Sequence, residues 1–143
     1  LDAWVAPVGR LDRDSSGLLL LTNDTDLADR LTSPEGHVPK HYRIEVRPRL
    51  TDDQLAALAR GPELEDGPTH PKDVQLIVHK GPISRIELTL SEGRNRQVRR
   101  MVRAVGGKVT KLVRTKIGTL ELGNLARGAW RELAEDELRA LSG

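Results

Sequence analysis

The sequence of 143 residues contains no cysteine and no phenylalanine, and its three aromatic residues are Trp4, Tyr42 and Trp130. Without cysteine, the chain forms neither disulfides nor thiolate metal sites, which is compatible with a reducing cytoplasm. Three aromatic residues are too few for the stacking platform of a general single-strand nucleic-acid binder. The chain also lacks a secretory signal and any run near the roughly 18 apolar residues of a membrane span. We therefore expect one soluble, cytoplasmic domain with an aliphatic core and no membrane partner.

Acidic residues are absent from one long segment, although the net charge of the whole chain is only +2. Residues 93–120 contain nine Lys or Arg, whereas all 21 acidic residues lie elsewhere. Crowding like charges opposes compaction, so a polyanionic partner would explain this segment, and nucleic acid is the commonest such partner. The alternative that charge alone leaves open is a solvated basic face without a partner.

An aspartate between two arginines precedes four consecutive leucines in the segment 8–24, VGRLDRDSSGLLLLTND. Gly9 and the cluster 15–17 predict a turn, and the leucines at 18–21 predict a short strand buried on both faces. Asp12 is then expected on a tight loop against a rigid strand, where a catalytic carboxylate benefits from fixed geometry. A turn aspartate can equally cap its own backbone, so this segment alone leaves both interpretations open.

The segment 92–107, EGRNRQVRRMVRAVGG, predicts an amphipathic helix that ends at its glycine pair. Its apolar positions are Val98, Met101, Val102 and Val105. Arg99 lies at the border of that apolar face, where its long side chain can bury its stem and direct the guanidinium sideways. It is therefore the arginine best placed to meet a buried carboxylate, although a surface cation fits the same position.

The remaining elements predict the fold class. Helices are predicted at 26–33, capped by Asp24 or Thr25, at 51–60 and at 135–142. Strands are predicted at 40–47, 74–79, 83–90, 108–117, 119–122 and 129–133. The second and third of these strands form an antiparallel hairpin across residues 80–82. This balance predicts an α+β fold with a mixed, mainly antiparallel sheet and flanking short helices.

Several chemistries find little support in the sequence. The four histidines show no metal-ligand spacing, so no metal site is expected; they are His37, His41, His70 and His79. Residues 15–17 lack the flanking glycines of a serine nucleophile elbow, and no glycine-rich phosphate loop occurs. The remaining competitor is the segment 12–15, whose paired aspartates resemble the Mg²⁺-binding loop of haloacid-dehalogenase-type phosphotransferases. That loop follows a fully apolar strand, which residues 7–11 do not provide.

Four motifs occur in order along nearly the whole chain. They are GRLD at 9–12 continuing to 23–24, Lys40-x-Tyr42 at the start of a strand, GRNRQVRRM at 93–101, and LVR at 112–114 leading to 117–118. Together they resemble the ordered motifs of RNA pseudouridine synthases, and more narrowly the RsuA-type branch that modifies ribosomal RNA. The form GRLDRDS and the DGPT at 66–69 resemble the RluE subgroup of large-subunit enzymes most.

The resemblance implies an activity, a partner and a domain organisation. It implies the pseudouridine synthase catalytic fold over 1–143, without part of its N-terminal region and without an S4 RNA-binding domain. The implied activity is isomerisation of one uridine to pseudouridine in 23S ribosomal RNA of the large subunit, by a monomer that needs no cofactor. A non-catalytic module that binds ribosomal RNA or assists ribosome assembly remains an alternative, as does the Mg²⁺-dependent aspartyl phosphotransferase.

The resemblance also implies a role for individual residues. Asp12 is implied to be the nucleophile that attacks the flipped uridine, at the base or at the ribose C1′. Tyr42 is implied to stack on the uracil and is a candidate proton acceptor, and Arg99 is implied to pair with the catalytic aspartate, because an adjacent guanidinium keeps a buried carboxylate ionised. RNA contacts, which would offset the unstacking cost of base flipping, are implied for Arg10, Lys40, Arg94, Asn95, Arg96, Arg100, Lys111, Leu112 and Arg114.

Overall fold

The structure, a computed structural model, describes residues 4–9, 11–33, 38–94 and 96–142. The strands in these ranges are β1 (Ala6–Pro7), β2 (Ser16–Gly17), β3 (Leu21–Thr22), β4 (Lys40–Arg47), β5 (Glu63–Leu64), β6 (Gly67–Pro68), β7 (Asp73–Lys80), β8 (Ile83–Leu90), β9 (Lys108–Ile117) and β10 (Leu120–Glu121). The helices are α1 (Thr25–Thr32), α2 (Asp52–Arg60), α3 (Gln97–Ala104) and α4 (Glu135–Ser142).

A mixed sheet organises the molecule. Its strands follow the order β10-β9-β4-β8-β7, and all of these neighbours are antiparallel. The short strand β2 joins β9 in parallel and makes the sheet mixed. Two further ladders of two residues each pair β1 with β3 and β5 with β6. The predicted α+β class with a mainly antiparallel sheet is confirmed.

Local sequence signals determine the elements around this sheet. In β4, alternation directs Tyr42, Ile44 and Val46 to one face, where Ile44 and Val46 are fully buried. Thr51 caps α2 through the reciprocal capping box, and the Asp24 carboxylate accepts hydrogen bonds from the first turn of α1. These predicted elements and the β7–β8 hairpin are confirmed, with bounds that shift by one residue at most.

Helix α3 carries the apolar face that its spacing predicts. Val98, Met101 and Val102 are buried in it, together with the polar Gln97. The helix begins only after Arg96, whose φ of 47° places that residue in the left-handed region. The arginine therefore lies in the turn before the helix, where its side chain is directed independently of the helical faces.

Two predictions about strands are wrong. The leucine run at 18–21 is not a continuous strand, since residues 18–20 lie between β2 and β3 and only Leu21 belongs to a strand. Nor is it buried on both faces: Leu18 and Leu20 are buried, whereas Leu19 and Leu21 are 39% and 48% exposed on the side that meets solvent. Residues 129–133 form no strand; the preceding backbone turns, with Ala129 N–H donating to the Ala126 carbonyl. No helix within the described ranges has the length and apolar character to cross a membrane.

Two apolar clusters cover different parts of the same sheet. The first cluster, under α2 and α3, consists of Ile44, Val46, Leu50, Leu58, Ile86, Leu88, Leu90, Val98, Met101, Val102, Val109 and Leu112. The second cluster, under α1 and α4, consists of Val8, Leu18, Leu20, Leu27, Leu31, Ile117, Leu120 and Leu141. Strand β9 contributes to both, so it connects the two halves of the core.

The contact of β2 with β9 requires glycine at position 17. A Cβ atom there would lie 2.2 Å from the Arg114 carbonyl oxygen, and the backbone has a φ of +117°. We expect Gly17→Ala to lower the free energy of unfolding by about 3 kcal/mol or more, from strain and overpacking together. Urea denaturation measures this loss.

Gly123→Ala is the matched control for that substitution. Gly123 also has a positive φ, +57°, but no atom of the described residues lies within 4 Å of the place that an alanine methyl group would take. We expect Gly123→Ala to lower the free energy of unfolding by about 1 kcal/mol, the cost of the left-handed backbone alone. Equal losses for the two variants would show that the close approach to β9 does not matter.

Candidate active site

A cavity of about 380 Å³ lies at the seam between the two clusters. Its apolar lining comes from both of them and from Leu11 beside Asp12; the cluster residues in it are Val8, Leu20, Leu31, Leu90, Val98, Leu112 and Ile117. Its polar lining includes Asp12, Ser15, Lys40, Tyr42, Glu92, Arg94, Arg96, Gln97, Arg99 and Arg114. The fold therefore brings most of the site residues expected from the sequence to one place.

Asp12 lies on a tight turn at this cavity. The Ser15 N–H donates to the Asp12 carbonyl oxygen at 2.9 Å, which closes the turn. The Asp12 side chain is 20% exposed, and its Oδ2 lies 3.9 Å from Nη1 of Arg96. The cation that the structure pairs with Asp12 is thus Arg96 and not Arg99.

Arg99 contacts the neighbouring aspartate instead. Its Nη2 donates to the Asp14 carbonyl oxygen at 2.8 Å, and its Nε lies 3.4 Å from Oδ1 of the Asp14 carboxylate. The predicted pairing of Arg99 with Asp12 is therefore wrong for this structure. The reason lies in the turn at 12–15, which directs the Asp14 carboxylate toward α3. The Arg99 side chain, which is only 14% exposed, therefore contacts the carboxylate and the backbone carbonyl group of Asp14.

The Asp14 carboxylate lies between two guanidinium groups. Arg96 donates to both of its oxygens, at 3.1 and 3.0 Å, in a bidentate arrangement. This hydrogen bonding, together with the charges of Arg99 and Arg96, lowers the pKa of Asp14 and outweighs the opposing effect of desolvation. Arg96 and Arg99 thereby hold the whole turn that carries Asp12.

Tyr42 and Leu112 form adjacent parts of the cavity floor. Tyr42 lies opposite Arg114 in the β4–β9 ladder, and Leu112, 6% exposed, lies opposite Ile44. Burial raises the pKa of Tyr42, the charge of Arg114 and a hydrogen bond with its side chain partly oppose this, and the Asp12 charge adds to the rise. The hydroxyl group is therefore protonated at neutral pH, and its ring offers an apolar surface beside Asp12.

Two cations lie on the same side of the cavity as Tyr42. Arg114 is 5% exposed, and its Nε donates to the Leu18 carbonyl oxygen at 2.9 Å. Nζ of Lys40 donates to the Val38 carbonyl oxygen at 3.4 Å. Burial, and to a lesser degree the charge of Arg114, lowers the pKa of Lys40.

Other residues expected to contact RNA lie in different surroundings. Arg100 binds both carboxylate oxygens of Asp66, at 2.9 and 3.1 Å, outside the cavity lining. Arg94 lines the cavity, but its guanidinium binds the β5–β6 turn at Asp66 and at the Pro68 carbonyl oxygen. Lys111 is exposed on β9 away from the cavity. The predictions for Arg10 and Asn95 lie outside the described residues.

The sequence reasoning missed a polar group in the cavity wall. Gln97, 3% exposed, donates from Nε2 to Glu92 at 2.7 Å and accepts from the Arg94 N–H at 3.0 Å. Glu92 also accepts from the His70 N–H at 2.9 Å. A polar residue directly before the apolar positions of a helix was the available signal, because buried polar groups need partners. Asp14 and Asp66 were missed as arginine partners for a different reason, since their partners are distant in sequence.

The arrangement suits carboxylate chemistry on a flat ring that carries hydrogen-bond acceptors. A carboxylate on a fixed turn, an aromatic ring, an aliphatic side chain and several cations meet around one cavity. No group of three or more His, Cys, Asp or Glu side chains that could hold a metal ion occurs in the part of the chain that the structure describes.

The family follows from comparison with known proteins. The family model described as RNA pseudouridylate synthase matches residues 2–104. This chain belongs to that family. A solved structure described as that of a pseudouridylate synthase is similar to this chain, with a TM-score of 0.85 and 38% sequence identity over 96% of this chain and 59% of the other.

Two curated relatives of this chain agree with that assignment. An uncharacterized RNA pseudouridine synthase of Aquifex aeolicus is 42% identical over 137 residues, covering 96% of this chain and 55% of the relative. Ribosomal large subunit pseudouridine synthase B of Bacillus subtilis is 44% identical over 139 residues, covering 96% and 57%. The chain thus spans about half the length of these relatives. The closer resemblance to the RluE subgroup stays a prediction.

The contact between Arg96 and Asp14 can be tested by titration. In Arg96→Gln we expect the pKa of Asp14 to rise toward its ordinary value, because the bidentate hydrogen bond is lost. Since the folded chain has the lower pKa, the contact stabilises the fold at neutral pH and is lost as the pH falls through that lowered pKa. Carboxyl ¹³C NMR titration measures the change.

Arg99→Gln is the comparison for that titration. Its charge contributes less to the lowered pKa of Asp14 than the hydrogen bond from Arg96 does. The rise in the Asp14 pKa should therefore be smaller. A larger rise in Arg99→Gln than in Arg96→Gln would contradict the bidentate geometry at Arg96.

Proposed function

We propose that this protein isomerises a uridine of ribosomal RNA to pseudouridine, with Asp12 as the nucleophile. The observation that carries the proposal is the meeting of Asp12, Tyr42 and Leu112 around one cavity of about 380 Å³. A volume of this size admits a single flipped nucleoside. Membership in the RNA pseudouridylate synthase family supports the same activity.

The reaction needs only rearrangement of bonds within the nucleotide. The N1–C1′ bond of uridine breaks, the C5–C1′ bond forms, and the proton on C5 is lost while N1 gains one. A carboxylate oxygen of Asp12 forms a transient bond to the ribose C1′ or to the base, and leaves at the end of the cycle. Atoms and electrons balance without a redox partner, so the proposal includes no cofactor.

The surroundings of Asp12 fit this role. Its position on a closed turn, backed by the buried Leu18 and Leu20, removes conformational freedom before the substrate arrives. Arg96, 3.9 Å away, gives the carboxylate a positively charged neighbour. Tyr42 offers its ring for stacking on the extruded uracil, and Leu112 packs beside it. This stacking offsets part of the unstacking cost, a few kcal/mol.

We also propose that the RNA is that of the large ribosomal subunit and that the protein acts as a cytoplasmic monomer. The name of the Bacillus subtilis relative supports the choice of subunit. The arginines around the entrance, which are 22–45% exposed, supply the charge for phosphate contacts; they are Arg94, Arg96 and Arg100.

Replacing the proposed nucleophile separates catalysis from binding. We expect Asp12→Asn to lower the rate of pseudouridine formation by about 10⁴-fold or more, because an amide cannot act as the nucleophile. RNA affinity and the thermal midpoint should stay nearly unchanged. Nucleoside mass spectrometry measures the product, and a filter-binding assay measures the affinity.

Asp29→Asn is the control for the loss of one negative charge. Asp29 is exposed on α1 and lies outside the cavity lining. Its variant should keep the full rate. Full activity in Asp12→Asn would refute the assignment of the nucleophile.

A cellular experiment tests the activity and identifies the site. Pseudouridine mapping across all RNA, with and without the gene, should show the loss of a signal in large-subunit ribosomal RNA. Binding of that RNA without any lost signal would favour the non-catalytic module. Activity that persists in excess chelator would exclude the Mg²⁺-dependent phosphotransferase.

A further inference from the structure

The cavity contains two cations that no acidic side chain neutralises. Arg114 is 5% exposed, and among the described residues its Nη2 has no hydrogen-bond partner. Lys40 touches the Val38 carbonyl oxygen at a long 3.4 Å. Within the ranges that the structure covers, neither side chain forms an ion pair with Asp or Glu.

This arrangement is costly in the empty protein. Buried charges are normally paired, and a buried donor without an acceptor loses its hydration without compensation. The lowered pKa of Lys40 reflects this cost, since burial and the neighbouring Arg114 both disfavour its charged form. Nε of Arg94 and Nε of Arg99 also lack a hydrogen-bond acceptor among the described residues, but both guanidinium groups have a carboxylate within 4 Å, as Arg96 does. Of the described arginines that line the cavity, Arg114 is the one without a carboxylate partner. A ligand that brings acceptors or negative charge would remove the cost.

The strand register places both cations beside the surface proposed for the base. Tyr42 lies opposite Arg114 in the β4–β9 ladder, and Lys40 precedes Tyr42 by two residues and so shares its face of β4. A uracil stacked on Tyr42 and packed against Leu112 therefore has donors along its edge. Uracil presents carbonyl oxygens O2 and O4 there, and both are acceptors.

We propose that Lys40 and Arg114 bind the carbonyl oxygens of the target uracil and stabilise the negative charge that its ring gains during isomerisation. The proposal rests on the function proposed above. When the N1–C1′ bond breaks, its electron pair stays on the ring and spreads onto the carbonyl oxygens. Addition of Asp12 to C6 of the base instead places an enolate charge on O4. Fixed cations in a desolvated site stabilise such charge strongly.

The depth of the two cations favours the base over a phosphate as their ligand. Arg114 is almost fully enclosed, and Lys40 lies on the same strand face. Arg96, at 45% side-chain exposure, lies nearer the solvent. The phosphates of a flipped nucleotide remain on the RNA backbone outside, so they meet the exposed arginines first.

Thio-substituted RNA tests the contact atom by atom. The probe is a ribosomal RNA stem-loop with the mapped uridine, synthesised with uridine, 2-thiouridine or 4-thiouridine at that position. Single-turnover rates at saturating RNA and dissociation constants are measured for the unaltered protein and for Lys40→Met. Sulfur accepts hydrogen bonds poorly, so replacing the contacted oxygen imitates the loss of the donor.

The expected result is a coupled loss. One thio substitution should slow the unaltered protein about tenfold or more, and Lys40→Met should slow the reaction of the normal RNA by a similar factor. In Lys40→Met the same thio substitution should cost less than about twofold, because the contact is already gone. Lys80→Met, which removes an exposed lysine at the β7–β8 turn, should behave like the unaltered protein.

Two further variants keep the test decisive if Lys40→Met unfolds. Lys40→Ala also removes the cation and should likewise reduce the thio penalty to less than about twofold, whereas Lys40→Arg retains a cation and should retain most of that penalty. A thio penalty in Lys40→Met or Lys40→Ala equal to that of the unaltered protein would overturn the proposal. So would a Lys40→Met defect seen only as weaker binding of all three RNAs, which indicates a phosphate contact. An unaltered protein that forms no pseudouridine would refute the proposed function itself.

Discussion

The parallel contact between β2 and β9 is the constraint on which the site depends. Gly17 approaches the Arg114 backbone so closely that a side chain has no room, and the Leu18 N–H donates to the Arg114 carbonyl oxygen at 2.8 Å. The Arg114 side chain returns a hydrogen bond to the Leu18 carbonyl oxygen at 2.9 Å. These contacts fix the chain that follows the Asp12 turn onto the strand that carries Leu112. The relative positions of nucleophile and floor are therefore set by backbone packing.

The same contact explains why the cavity lies where it does. The first and second clusters share β9: Leu112 belongs to the first and Ile117 to the second, and between them Arg114 belongs to neither and lines the cavity at their seam. Rigid apolar packing on both sides keeps this space open. Exposed ion pairs at the entrance, from Asp14 to Arg96 and from Asp66 to Arg100, hold the surrounding loops. Exposed ion pairs of this kind stabilise a fold only weakly, so a phosphate can replace the carboxylate at low cost.

Local periodicity determined what the sequence could predict. The strand at 40–47, the capping box at Thr51 and the apolar face of α3 depend on neighbours within a few residues, and all three were found as predicted. The burial of the leucine run depends on which side of it is covered by residues distant in sequence, and its second side is exposed. The partner of Arg99 depends on how the turn at 12–15 is oriented, and the spacing of residues within α3 carries no information about that orientation.

The basic segment shows how little a charge count says about a surface. Among its described residues, Arg94 and Arg100 face the carboxylate of Asp66, and Arg96 and Arg99 face that of Asp14. Acids from outside the segment thus neutralise much of the charge that first suggested a polyanionic partner. Arg114, buried beside Tyr42, has no such acid within the described ranges. Of the cations in this segment that no described acid pairs with, Arg103, Lys108 and Lys111 are exposed, whereas Arg114 lines the cavity. Desolvation there makes a cation act more strongly on a bound base than it would on the surface.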